Sequence, residues 1–226
     1  MQRELTNKEK FLQGLSSAVH RFRFVLLGIL GAITVFVITW FIVAAVQENR
    51  LESSTVLAEL AQDKFDAWFA EEDEELSKGL AEELFADIDR IIDLYPKLYA
   101  AQRAEFIRGR YFFEIEQWEA AAESFERMAN TFPKSYLAPP ALVNAAVAYE
   151  ETDDFQRAKG MYNRVLSEYP ERSSEIPHIL FSLGRLSESA DTKENALSFY
   201  NRIVDEFPTS GWTNLARDRI IYLNID

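Results

Sequence analysis

The chain has 226 residues, with 24 Lys or Arg against 37 Asp or Glu and an isoelectric point near 4.7. That acidity speaks against nucleic acid, whose binding surfaces are basic. With no cysteine there is no disulfide and no acylated Cys anchor, and two histidines, His20 and His178, are too few for a zinc cluster.

Residues 1–23 form a basic segment that is expected to stay cytoplasmic: Arg3, Lys8, Lys10, Arg21 and Arg23 stand against Glu4 and Glu9, a net +3. Residues 6–23 can be drawn as an amphipathic helix with Phe11, Leu12, Leu15, Val19 and Phe22 on one side. Residues 24–46 carry no charge, and fifteen of these twenty-three are Leu, Ile, Val or Phe. As a helix they reach about 34 Å, enough to cross a hydrocarbon core of about 30 Å. A cleaved signal peptide is the competing reading, with a small-residue site at Val43-Ala44-Ala45. Its apolar core ordinarily runs only about 7–15 residues. Thr34 and Thr39 are expected to bond back to the helix, and Trp40 and Phe41 to anchor its far end. Gly28 and Ala32 are a small-xxx-small pair, compatible with a homodimer through the membrane. After the span, residues 47–226 hold nineteen basic and thirty-five acidic residues. Positive residues stay inside, so the expected topology is N-terminus cytoplasmic with the rest exported to the periplasm of a bacterium.

Gln47 to Ser54 contains no helix breaker, so the span is free to continue as a helix. Residues 47–101 are assigned as membrane-proximal helices. Within them 55–95 reads as two helices forming a divergent capping pair, with apolar positions Leu57, Leu60, Ala61, Phe65, Trp68 and Phe69, then Leu76, Leu80, Leu84, Ile88, Ile91 and Ile92. The acidic run from Glu71 to Glu75 lacks the alternating ligands and turn glycine of a calcium loop. It suits a helix start, where negative charge meets the positive end of the dipole.

Four aromatic–proline pairs then set a period: Tyr95-Pro96, Phe132-Pro133, Tyr169-Pro170 and Phe207-Pro208. Twelve residues before the last three prolines stand Ala121, Ala158 and Ala196; eight before, Phe125, Tyr162 and Tyr200; twenty-four before, Gly109, Ala146 and Gly184. An aromatic follows the small residue at Phe112 and Tyr149, but Ser187 takes that place in the third unit, and Lys193 replaces the turn aromatic of Trp118 and Phe155. Small residues let two helices approach, an aromatic fills the space beside them, and proline ends the second helix. The first pair keeps Pro96 but has Glu72 where Gly109 falls. At the end, Thr209-Ser210 offers an N-cap to a helix with the stripe Trp212, Leu215, Ala216, Ile220 and Leu223.

This spacing resembles the tetratricopeptide repeat (TPR). The resemblance implies an all-α fold: a transmembrane helix, then an α-solenoid of antiparallel helix pairs in units 102–135, 139–172 and 177–210, closed by a C-terminal capping helix at 209–226. In such arrays the first helix of each pair lines the concave face. Carried onto this chain, those positions are Arg103, Phe106, Arg110 and Phe113; Val143, Val147, Glu150 and Glu151; and His178, Phe181, Arg185 and Glu188. Exposed aromatics with both charge signs suit an extended peptide, the arginines gripping carboxylates. The other reading of these residues packs Phe106, Val143 and Phe181 between helices and leaves the charges as ordinary surface.

The ends Phe132-Pro133-Lys134-Ser135 and Phe207-Pro208-Thr209-Ser210 look like those of the Tol-associated periplasmic coordinator and the outer-membrane barrel-assembly lipoprotein. The layout is similar to the YfgM family, associated with the Sec translocon and periplasmic chaperones. What these likenesses imply is a non-enzymatic, inner-membrane-anchored periplasmic scaffold for polypeptides or partner proteins. The alternative is a structural assembly factor of a fixed envelope machine. No catalytic residue, metal site, cofactor, small-molecule substrate or nucleic acid is expected: the chain shows no phosphate loop, dinucleotide fingerprint or G-x-S-x-G.

Overall fold

The computed structural model describes residues 7–170, 174–190 and 193–225, and divides the chain into two compact units, Met1–Ser53 and Ser54–Asp226. Helix α1 (Asn7–Phe69) runs through both, so Gln47 to Ser54 is helical, as the lack of a breaker predicts.

In the first unit α1 has one stretch long and apolar enough to cross a membrane, none of it buried by protein. The guanidiniums of Arg21 and Arg23 lie over the rings of Phe22 and Phe24, at 5.9 and 4.7 Å from the centroids. Thr34 Oγ1 donates to the Leu30 carbonyl at 2.9 Å, so its hydroxyl bonds back to the helix. Beside Gly28 the space is open. Phe11, Leu12 and Phe22 are exposed; Thr6 and the side chains of Leu15 and Val19 lie outside the described residues.

The second unit is an array of helices: the end of α1, then α2 (Glu74–Leu94), α3 (Tyr99–Glu114), α4 (Trp118–Thr131), α5 (Ala138–Glu151), α6 (Phe155–Glu168), α7 (Ile176–Ala190), α8 (Lys193–Glu206) and α9 (Trp212–Ile225). No strand occurs among the described residues. Helices α3–α4, α5–α6 and α7–α8 form three successive hairpins. A Cβ on Gly109 would sit 2.6 Å from the Phe125 ring, and one on Gly184 2.6 Å from the Tyr200 ring. The glycines are thus required by contact with the aromatic eight residues before each proline.

The turns inside the first two repeats follow one pattern. Gln117 N–H donates to the Phe112 carbonyl and Glu116 N–H to that of Phe113, at 2.9 and 3.1 Å. Asp154 and Asp153 repeat these bonds to Tyr149 and Glu150. This is a Schellman closure, and it places Glu116 and Asp153 in the left-handed region, at φ 58° and 57°. Between repeats, the Tyr169 hydroxyl donates to the Pro133 carbonyl at 2.9 Å, tying one aromatic–proline corner to the one before it.

The first pair departs from the repeat in a way that counting back from Pro96 misses. Helix α2 has 21 residues where α4 has 14, so the hairpin turn lies two helical turns further upstream. Glu72 therefore sits in the turn, and the place of Gly109, counted from the turn, falls to fully buried Phe65. With a phenylalanine there, the backbones of α1 and α2 stand further apart than those of α3 and α4. The acidic run starts α2 as expected: the Asp73 carboxylate caps it, accepting from the N–H groups of Glu75 and Leu76 at 3.0 and 2.9 Å. Leu60, Phe69 and Leu76, expected in the apolar stripes, are exposed and lie outside the cluster that α1 and α2 build with α3.

Two hydrophobic clusters result. One joins α1, α2 and the start of α3 around Phe65, Leu84, Ile88 and Ile91. The other runs from α4 to α9 around Phe125, Leu142, Tyr162, Ile179 and Tyr200. Helix α9 covers the end of the second through buried Thr213 and Ala216. Ser210 Oγ accepts from Trp212 N–H at 3.3 Å, while Thr213 Oγ1 donates back to the Phe207 carbonyl at 2.6 Å. Leu215, expected in the covering stripe, is half exposed.

Candidate partner-binding surface

The inward positions predicted from the repeat register separate into two groups. The first surrounds an open cleft of about 390 Å³ that includes Arg103, Phe106 and Arg110. Two tyrosines complete it, Tyr99 and Tyr136, stacked at 6.0 Å between centroids with their hydroxyls 2.6 Å apart. Burial first, and then the bond to Tyr136, pushes the Tyr99 phenol up to about 12. Sequence reasoning missed both, although each lies three residues beyond an aromatic–proline corner, at Pro96 and Pro133.

The cations of this cleft are held by α1. Arg103 donates to Glu59 Oε1 at 2.6 Å, and the Arg110 guanidinium lies 4.4 Å from the Phe65 centroid. Phe106 meets Phe125 edge to face at 5.3 Å, leaving one side of its ring to the cleft. The result is a half-open pocket of two guanidiniums and three rings within an acidic chain. It suits a guest that offers an apolar or aromatic body and a carboxylate.

The second group is a set of interlocked charges. In the second repeat the Tyr162 hydroxyl donates to Glu150 Oε1 at 2.8 Å, and Arg185 of the next repeat pairs with the same carboxylate. In the third, the Tyr200 hydroxyl donates to Glu188 Oε1 at 2.6 Å, and Arg219 of α9 donates to it through Nε at 3.0 Å. Burial and then the facing carboxylates raise the phenols of Tyr162 and Tyr200 far above their usual range. Burial pushes the Glu188 carboxyl up, but the bonds from Arg219 and Tyr200 outweigh it and hold the group below its ordinary value. These charges bind the repeats to each other before they meet any partner.

The remaining positions follow the packing. Val143 is only 7% exposed and belongs to the core, so it does not line the groove as expected. Phe113 packs against Trp118 at 5.0 Å. Phe181 is wedged between Tyr200 and Trp212, at 5.4 and 5.2 Å, and His178 stacks on Trp212 at 4.8 Å. Val147 is half-buried and Glu151 is exposed. Among the described residues no cluster of His, Asp and Glu could hold a metal ion.

The family model of YfiO, described as an outer membrane lipoprotein, matches residues 106–225. The chain belongs to the YfiO family. A TPR repeat-containing protein of Treponema pallidum (strain Nichols) is 29% identical over 116 residues, half of this chain. The matched stretch is 47% of that relative, so the chain spans about half the length of the curated relative it matches. Together with the helix array, these likenesses make this a TPR protein, as the four aromatic–proline pairs predict.

Proposed function

We propose that the chain is a non-catalytic, membrane-anchored scaffold that receives a partner polypeptide in the cleft formed by Tyr99, Arg103, Phe106, Arg110 and Tyr136. The observation that carries this reading is the cleft itself, where two guanidiniums and three rings stand together on a fold whose repeats are otherwise locked by their own charges. A guest peptide would lay an aromatic or aliphatic side chain against Phe106 and present a carboxylate to Arg103, displacing Glu59. The uncharged stretch 24–46 of α1 and its basic flank support residence in a bacterial inner membrane with the repeat array in the periplasm. The layout likeness to YfgM supports a place near the translocon and chaperones.

A second reading is a fixed assembly factor of an envelope machine. It is favoured by the gathering of Arg103 and Arg110 with three rings in one cleft, which suits one defined partner better than many unfolded ones.

Crosslinking from a photoreactive residue at Tyr136 in native membranes, followed by partner identification, separates the two. Capture of many unfolded chains supports the transfer scaffold, and one stable partner with no affinity for denatured model substrates supports the assembly factor. Loss of neither on Phe106→Ala together with Arg103→Ala would remove the cleft from both. A C-terminal alkaline phosphatase fusion should be active; a silent phosphatase with an active cytoplasmic reporter at the same place reverses the topology.

A further inference from the structure

A second cleft, of about 650 Å³, lies where the end of α1, the first half of α2 and the end of α3 meet, and it shares no lining residue with the cationic cleft. Its wall is aromatic. Trp68 and Tyr111 lie 4.4 Å apart between centroids, and Phe85 meets Tyr111 edge to face at 4.8 Å. Its rim carries two carboxylates and one cation, with Glu74 and Glu82 exposed on α2 and Lys78 between them.

Helix α2 holds seven acidic and two basic residues, and three of the acidic ones are paired from the neighbouring helices. Lys64 pairs with Glu83 and Asp87, at 3.2 and 2.7 Å, and Arg108 pairs with Asp89. Glu74 and Glu82 have no such partner among the described residues, and Lys78 between them pairs with neither. The Tyr111 hydroxyl likewise has no hydrogen-bond partner there. Ring faces carry negative potential, and flanking carboxylates add to it, so this wall and rim attract a cation that has an aliphatic stem to bury.

We propose that this cleft receives a lysine or arginine side chain of a partner protein, its stem against Phe85 and Tyr111 and its charged head between the rings and the carboxylates of Glu74 and Glu82. The site extends the scaffold reading to a second surface of opposite charge preference.

The test uses the full chain in zwitterionic lipid nanodiscs and a fluorescein-labelled Gly-Lys-Gly-Lys-Gly peptide, with its norleucine counterpart as control. Glu74→Lys with Glu82→Lys should weaken the lysine peptide roughly ten-fold, and Phe85→Leu, which keeps an apolar side chain but removes the ring, about three-fold or more. Glu123→Lys with Asp205→Lys, the same charge change on exposed sites elsewhere, should change it about two-fold or less. Equal losses from the two charge pairs would show general attraction to an acidic surface and overturn the proposal. So would norleucine binding as well as lysine, or an unchanged affinity in Phe85→Leu.

Discussion

The Tyr200 hydroxyl and the Glu188 carboxylate are 2.6 Å apart, joining the two helices of the third repeat, and Arg219 reaches the same carboxylate from α9. Removing the carboxylate leaves a phenol and a guanidinium without their partner. Glu188→Ala should therefore cost about 1–3 kcal/mol in urea denaturation, with hydrogen exchange rising first in α9. Tyr200→Phe, which removes one bond and keeps the packing, should cost only about 1 kcal/mol.

The same carboxylate gives the array an acid limit. Its folded pKa is depressed, so its stabilisation is present above the unfolded value and lost as pH falls through the folded one. The gap in urea midpoint between the wild type and Glu188→Gln should be full at pH 7 and shrink as pH drops below about 4.5. A gap that stayed constant to pH 3 would remove Glu188 from the acid response.

At the alkaline end the phenols act with the opposite sign. Burial, then the bond to Glu126, pushes the Tyr149 phenol up to about 12, and Tyr162 and Tyr200 shift the same way. A raised folded pKa keeps its stabilisation below the unfolded value near 10 and loses it as pH rises beyond. Absorbance at 295 nm should show these three ionising only together with loss of helix by circular dichroism.

Close approach of helices can be tested at Gly184. A side chain there enters the Tyr200 ring, so Gly184→Val should destabilise by about 1–3 kcal/mol. In Tyr200→Ala, where the ring is gone, the same substitution should cost much less. Additive losses in this double-mutant cycle would show that the contact is not what requires glycine.

Glu116 offers a change of the opposite sign. A glutamate at φ 58° pays for its Cβ, which glycine does not have. Glu116→Gly should raise stability by about 0.5–1 kcal/mol, read as a higher thermal midpoint, without altering partner binding.

The repeats were legible because their determinants are local and periodic. Gly109 and Phe125 occupy fixed places before Pro133, and the structure brings them together. The first hairpin was not, since nothing near Pro96 announces that α2 is longer than α4. The candidate site was half legible. Arg103, Phe106 and Arg110 followed from register, and Tyr99 with Tyr136 could have been found from their 37-residue interval. The charge interlock stayed hidden for a different reason. Its pairs are 35 residues apart at Glu150 and Arg185 but 31 at Glu188 and Arg219, so no single period finds them.

The cationic cleft straddles a joint. Ile107 on its floor belongs to the cluster under α1–α3, whereas Phe106 beside it packs with the cluster of α4–α9. A guest lying across those two residues would act as a splint between the two hydrophobic clusters of one compact unit. Its binding energy would then resist their parting, so the array should be most resistant to unfolding when its cargo is in place.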